Sequence, residues 1–339
     1  MLSMRSLNRR TRNYWRVITI FTILSMLLAG CGSKTPKVYH IGILSGLDFV
    51  ADISDGFKSK MAEFGYVEGT NVVYDIQKTN FDMDAYRNIL QKFVADKVDL
   101  ILVFPTEASM EAKSATQGTN IPVLFTFALI EGMGIVDSVR EPGGNITGVR
   151  YPGPEIALKR FEILMELVPQ AKRVWVPYQR GYPIVEPQLE AIRPAASAAG
   201  ITIIEAPADS KEELQSILDE RAKLDDIGMD AIMFLAEPLV VVPETFAVVG
   251  KFAYEHNVPL GGVLMNIDGY GSIYGLNVNS YQSGVDAAPL ADKILKGTQA
   301  GTIPVVSSDN YLQIDVNVAK TFGIDVPEGL LLQANEIVR

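Results

Sequence analysis

From about residue 38 onward, short apolar runs rich in Val, Ile and Leu alternate with longer stretches whose apolar positions recur at helical spacing. The first run, VYHIGIL (38–44), is followed by ISDGFKSKMAEFG (53–65), where Phe57, Met61 and Phe64 fall on one helical face. NVVYDIQ (71–77), a helix near 82–96, VDLILVF (98–104), a helix from Glu107 and IPVLFTF (121–127) continue the series. Runs that stay apolar at successive positions predict strands covered on both faces. Alternation with helices then predicts βαβ units with right-handed crossovers and a parallel sheet.

A second series of the same kind begins near Arg173. RVWVPY parallels HIGILS, ITIIEA parallels NVVYDI, MDAIMFLAE parallels VDLILVFPT, and NVPLGGVL parallels NIPVLFTF. The expected fold class is therefore α/β, with two Rossmann-like lobes in tandem. Ligands of open parallel sheets bind beyond the carboxyl ends of the strands, where helix N-termini offer free backbone N–H groups. Aligning the halves sets Ser45 opposite Tyr178, Thr106 opposite Glu237, and Phe127 opposite Leu264, all at strand ends. Lobes that face each other across a cleft would bring these residues together.

The Gly- and Pro-rich stretch EPGGNITGVRYPGP (141–154) separates the two series and suits a hinge. SYQSGVDAAPLADKILKG (280–297) and IPVVSSDNYLQIDV (303–316) have no counterpart in the repeat and are expected to cross back between lobes. The expected division is 38–148 plus about 279–305 for lobe 1 and 155–276 plus about 310–339 for lobe 2. Hinge segments are expected at about 149–154, 277–279 and 306–310.

The first thirty residues are of another kind. Five arginines and no acid precede or flank the apolar run VITIFTILSMLLA, and small residues follow before Cys31, the chain's one cysteine. That order predicts a signal peptide over 1–30, since the run falls short of the roughly 20 residues of a spanning helix. LAGC (28–31) resembles the bacterial lipobox, so Cys31 is the expected lipidation site and 31–37 a lipidated tether. Removing 1–30 takes the formal charge from −10 to −15. So acidic a body argues against a nucleic-acid partner.

Enzymatic chemistry finds no carrier in the pattern. The chain lacks GxGxxG, GxxxxGK[ST] and GxSxG, and its two histidines, His40 and His256, stand at unrelated positions, so no metal site, catalytic triad or cofactor is expected. Among the acids, Asp48 and Glu107 follow strands and also suit helix N-termini, where a carboxylate complements the macrodipole. Glu237, after a buried-looking strand and before Pro238, is the stronger candidate to pair with a ligand ammonium. Phe49, Phe127, Tyr178 and Tyr281 could line an apolar side-chain pocket, whereas Phe104 and Phe125 read as core.

GFKSKMAEFGYVEGTNVVYDIQ, ADKVDLILVFPTEA, PGGNITGV, LVPQAKRVWV, AASAAGITIIEAPA and VNVAKTFGIDVPEGLL, taken in order over about 38–332, resemble the ABC-transporter substrate-binding proteins of the type I periplasmic-binding fold. The closest group is the one associated with uptake of tryptophan and other aromatic amino acids. The resemblance implies a clamshell of two lobes with three inter-lobe crossovers that presents its closed form to a membrane permease and its ATPase. It implies Thr106 as the threonine of the site, Glu237 where the family has aspartate, and Tyr281 and Gly284 as the aromatic and glycine of the last inter-lobe helix. FTFALIEGMG departs from the family, with Ala128 and Leu129 where an Asp-Pro turn is usual. So does the longer PYQRGYPIVEP.

The resulting expectation is a lipid-anchored, monomeric receptor at the outer face of the cytoplasmic membrane or in the periplasm. It would capture an amino acid or similar zwitterion with Ser45, Asp48, Thr106, Glu107, Phe127, Tyr178, Glu237, Leu264 and Tyr281. The α-carboxylate would fall to Ser45, Thr106 and backbone N–H groups, and the α-ammonium to Glu237. The alternative is a ligand-sensing lipoprotein that uses the same clamshell to signal to a membrane partner. An exported enzyme with a cleft active site ranks lowest.

Overall fold

Every residue of the strand LILVF is buried, and that strand lies in the interior of a six-stranded sheet. The computed structural model describes residues 37–339, with His40–Arg339 forming one folded unit. The first half runs β1 (Tyr39–Ser45), α1 (Ile53–Glu63), β2 (Val72–Lys78), α2 (Met83–Ala95), β3 (Leu100–Phe104), α3 (Thr106–Ala115), β4 (Val123–Ala128) and β5 (Ile146–Arg150). The second runs α4 (Gly153–Leu167), β6 (Arg173–Gln179), α5 (Val185–Ala198), β7 (Thr202–Ala208), α6 (Lys211–Ala222), β8 (Ala231–Met233), α7 (Pro238–Val241), α8 (Pro243–Glu255) and β9 (Leu260–Gly261). The remainder comprises β10 (Asn266–Ile267), β11 (Tyr270–Gly271), β12 (Tyr274–Val278), α9 (Ser280–Leu295), β13 (Val306–Ser307), β14 (Asn310–Asp315), α10 (Val316–Thr321), α11 (Glu328–Gln333) and β15 (Glu336–Val338).

The first sheet has the order β13-β5-β4-β3-β1-β2, with parallel pairing of β1 with β3, β3 with β4, β4 with β5 and β5 with β13. The second, β7-β6-β8-β9, is parallel throughout. This is the doubly repeated α/β pattern that the apolar runs predict. A third sheet adds what they do not: β12 runs antiparallel to β14, which pairs in parallel with β15. A bridge between Gly262 and Gly275 joins this sheet to the edge of the second.

Local chemistry sets the helix starts. Asp82 caps α2 by accepting from Ala85 N–H at 2.9 Å, Ser210 caps α6, and Asn279 caps α9 by accepting from Gln282 N–H at 2.8 Å. Helix α9 follows the third sheet in sequence but packs on α1 of the first lobe. Close approach there demands glycine on both sides: a Cβ on Gly56 would lie 2.0 Å from the carbonyl oxygen of Tyr281.

Two arginines fix the layers to each other. Arg160 of α4 is fully buried; its Nε and Nη2 donate to the Leu276 carbonyl at 2.9 and 2.7 Å, and Nη1 donates to the Phe234 carbonyl at 3.2 Å. It thereby ties α4 to β12 and to the end of β8. Arg150, the last residue of β5, bonds Glu131 after β4, Glu155 in the first turn of α4, and Ser307 Oγ of β13 at 2.7 Å. The chain leaves the first sheet at Ser307 and enters the third at Asn310, so Arg150 sits beside its passage between those two sheets.

Candidate functional site

Strand β1 ends at Ser45, directly beside Phe104 at the end of β3, and Gly46 N–H donates to the Phe104 carbonyl at 2.9 Å. Helix α3 begins two residues after β3, so its first-turn N–H groups open beside Ser45 at the carboxyl edge of the sheet. Ser45 is wholly buried, and its Oγ has no hydrogen-bond partner among the described residues. Thr106, the first residue of α3, is buried too; its Oγ1 accepts from Leu129 N–H at 3.0 Å, which leaves its own proton to donate. This corner is a cluster of hydrogen-bond donors suited to an anionic oxygen.

Two acceptors stand near it, Glu107 on the same helix α3 and Glu237 at the start of α7 in the second half of the chain. Glu237 is only 3% exposed and caps α7: Oε1 accepts from Val240 N–H at 2.9 Å, and Oε2 from Leu239 at 2.9 Å and Gln179 at 3.2 Å. Burial pushes its carboxyl up to about 7, against the pull of those three donors. Glu107, in the first turn of α3, accepts from the hydroxyl of Tyr182 in the β6–α5 connection. Burial and then the Glu107 charge hold the Tyr182 phenol far above its ordinary range, with Glu237 and Tyr86 adding to the effect. The Tyr86 hydroxyl in turn donates to the Gly46 carbonyl at 2.6 Å. Tyr86, Glu107, Tyr182 and Glu237 therefore lie close enough to act on one another's charge, with Gly46 and Ser45 beside Tyr86, and neither Glu107 nor Glu237 makes an ion pair with Lys or Arg among the described residues.

The aromatic wall lies at the end of β4. A register shift between Thr126 and Ala128 puts Phe127 at φ +51°, a left-handed conformation unusual for an aromatic residue. Its ring packs against Tyr151 at 5.2 Å and edge-on to Phe49 at 6.4 Å between centroids; Phe49 itself is 61% exposed. The Tyr151 hydroxyl is buried with no partner among the described residues.

The remaining candidates stand apart from this group. Asp48 is exposed, and its backbone N–H donates to Asn80 Oδ1 at 3.3 Å. Tyr178 turns to Glu205 on the neighbouring strand, donating to Oε2 at 3.0 Å, and its phenol is pushed up to about 12 by burial and that carboxylate. Leu264 is half-buried beside Gly275, and Tyr281 is 41% exposed on α9. His40 is exposed, and His256 caps the end of α8 with its ring on Phe252. Cys31, with the expected signal peptide and most of the tether, lies outside the described residues. Sequence reasoning missed Tyr86 and Tyr182; the signal for the latter was the unusual length of PYQRGYPIVEP.

A family model described as ABC transporter substrate binding protein matches residues 41–338. The chain belongs to that family. A tyrosine-binding protein of Clostridioides difficile is 27% identical over 257 residues, covering 75% of this chain and 71% of that protein. Among solved structures, an ABC domain in complex with L-Trp from Streptococcus pneumonia has a TM-score of 0.75 at 23% identity, covering 89% of this chain and all of the other. The ligand-free, open structure of a Clostridium difficile substrate-binding protein with adhesive properties has a TM-score of 0.70 at 24% identity, covering 89% of this chain and 99% of that one. The type I periplasmic-binding architecture is thus shared. The family is one of exported solute-binding proteins that work with a membrane permease, not one defined by an enzymatic activity. No helix among the described residues is long and apolar enough to cross a membrane.

Proposed function

We propose that this substrate-binding protein captures an aromatic amino acid between its lobes and delivers it to an ABC permease driven by its ATPase. The observation that carries the reading is the meeting of buried donors and unpaired carboxylates at one place between the lobes. Buried donors at Ser45, Thr106 and the start of α3 suit an α-carboxylate, and Glu107 and Glu237 offer an α-ammonium two carboxyl groups that make no ion pair with Lys or Arg among the described residues. Glu237 is held by its backbone donors in one orientation and retains acceptor capacity on Oε1. Phe127, Phe49 and Tyr151 supply an aromatic wall beside these groups. The tyrosine-binding relative and the L-Trp complex support the same ligand class. Lipid attachment at Cys31 would keep the receptor at the membrane beside its permease.

A ligand that binds only the folded protein raises its melting temperature. Thermal-shift screening followed by calorimetry should show binding of L-tyrosine, L-tryptophan or L-phenylalanine, and no shift with sugars or nucleosides. Binding of a sugar or nucleoside, with all three amino acids silent, would overturn the assignment.

A further inference from the structure

Tyr182 belongs to the second lobe and its partner Glu107 to the first. The tyrosine ring packs against the second-lobe core, while its backbone is fixed on both sides: Tyr182 N–H donates to the Gln179 carbonyl, and Val185 N–H to the Tyr182 carbonyl at the start of α5. Gly181, at φ +69°, turns the chain so that this short loop projects from the end of β6. Glu107 is equally well based, on the first turn of α3 with β3 behind it. Their hydrogen bond joins two rigid supports across the cleft and is made by protein atoms alone.

We infer that Tyr182 is an inter-lobe latch, whose hydroxyl on Glu107 holds part of the population closed before any ligand arrives. The inference rests on the clamshell of the previous subsection, not on the identity of the ligand. A phenol donating to a carboxylate at a site screened from water is a charge-assisted bond, and it exists only when the lobes meet. Losing it should shift the closed-to-open ratio by about tenfold or more. Because a ligand that touches both lobes binds the closed form, its apparent affinity scales with the closed fraction. Tyr182 therefore acts on affinity as a positioning residue, through the lobes.

The test uses the full chain in detergent, with Cys31→Ser and spin labels at the exposed positions Val73 and Leu224, one on each lobe, introduced through Val73→Cys and Leu224→Cys. Without added amino acid, Tyr182→Phe should move the distance distribution toward longer separations. Glu107→Gln should do the same, and the double variant should go no further than either single one. Calorimetry with L-tyrosine and L-tryptophan as probes should show about tenfold weaker binding by Tyr182→Phe. An unchanged distribution in Tyr182→Phe, or additive shifts in the double variant, would overturn the latch. The distances are read without a probe, so failure of both amino acids to bind would count against the proposed ligand and leave the latch result standing.

Discussion

The position a Cβ would occupy on Gly284 of α9 lies 2.0 Å from the carbonyl oxygen of Ile53 on α1. Gly56 makes the reciprocal approach to the carbonyl of Tyr281, so two backbones touch where side chains would normally hold helices apart. A methyl group cannot enter without moving a helix. Gly284→Ala should destabilise the fold by about 1–3 kcal/mol, as overpacking of a close contact does. Urea unfolding checks this through a lowered midpoint at unchanged slope.

Glu237 gives stability a definite pH dependence. Its folded-state carboxyl is raised from the ordinary 4.5 to about 7, so between those values the folded protein holds a proton that the unfolded chain has lost. The stabilising contribution is complete below about 4.5 and disappears as pH rises through about 7, amounting to at most about 3 kcal/mol. The melting temperature of the wild type should fall over this window relative to Glu237→Gln, whose side chain does not titrate. Parallel melting curves for the two proteins would show that the carboxyl is not buried as described.

Cys31→Ser tests the anchor separately from the cleft. Incorporation of labelled palmitate should be lost and the protein released from the membrane fraction, with affinity for its amino acid unchanged. Persistent labelling would place the lipid elsewhere.

Much of the fold was legible because a strand buried on both faces leaves a continuous apolar run, and LILVF, VLFTFA and RVWVPY all do so. The start of α2 was legible from Asp82, whose side chain caps it. The hairpin of β10 and β11 passed unnoticed, although Asp268-Gly269, both at positive φ, is a sequence signal for a two-residue turn. Arg160 had no comparable signal, and for Tyr182 the one trace was the length of PYQRGYPIVEP. An arginine on an apolar helix reads as solvent-facing, and only the arrival of the Leu276 and Phe234 carbonyls from distant strands makes its burial possible. The site divides in the same way. Ser45, Thr106, Glu107 and Glu237 could be proposed because strand ends are visible in sequence, whereas the contact of Tyr182 with Glu107 depends on how the two halves of the chain meet.

Phe127 adopts a backbone conformation that glycine or asparagine would occupy with less cost, yet its ring forms the centre of the aromatic wall. Selection for heat resistance and selection for ligand capture therefore pull this one codon in opposite directions. A variant with glycine at residue 127 would relieve that backbone and lose the centre of the aromatic wall, giving a sturdier receptor that discriminates less among side chains.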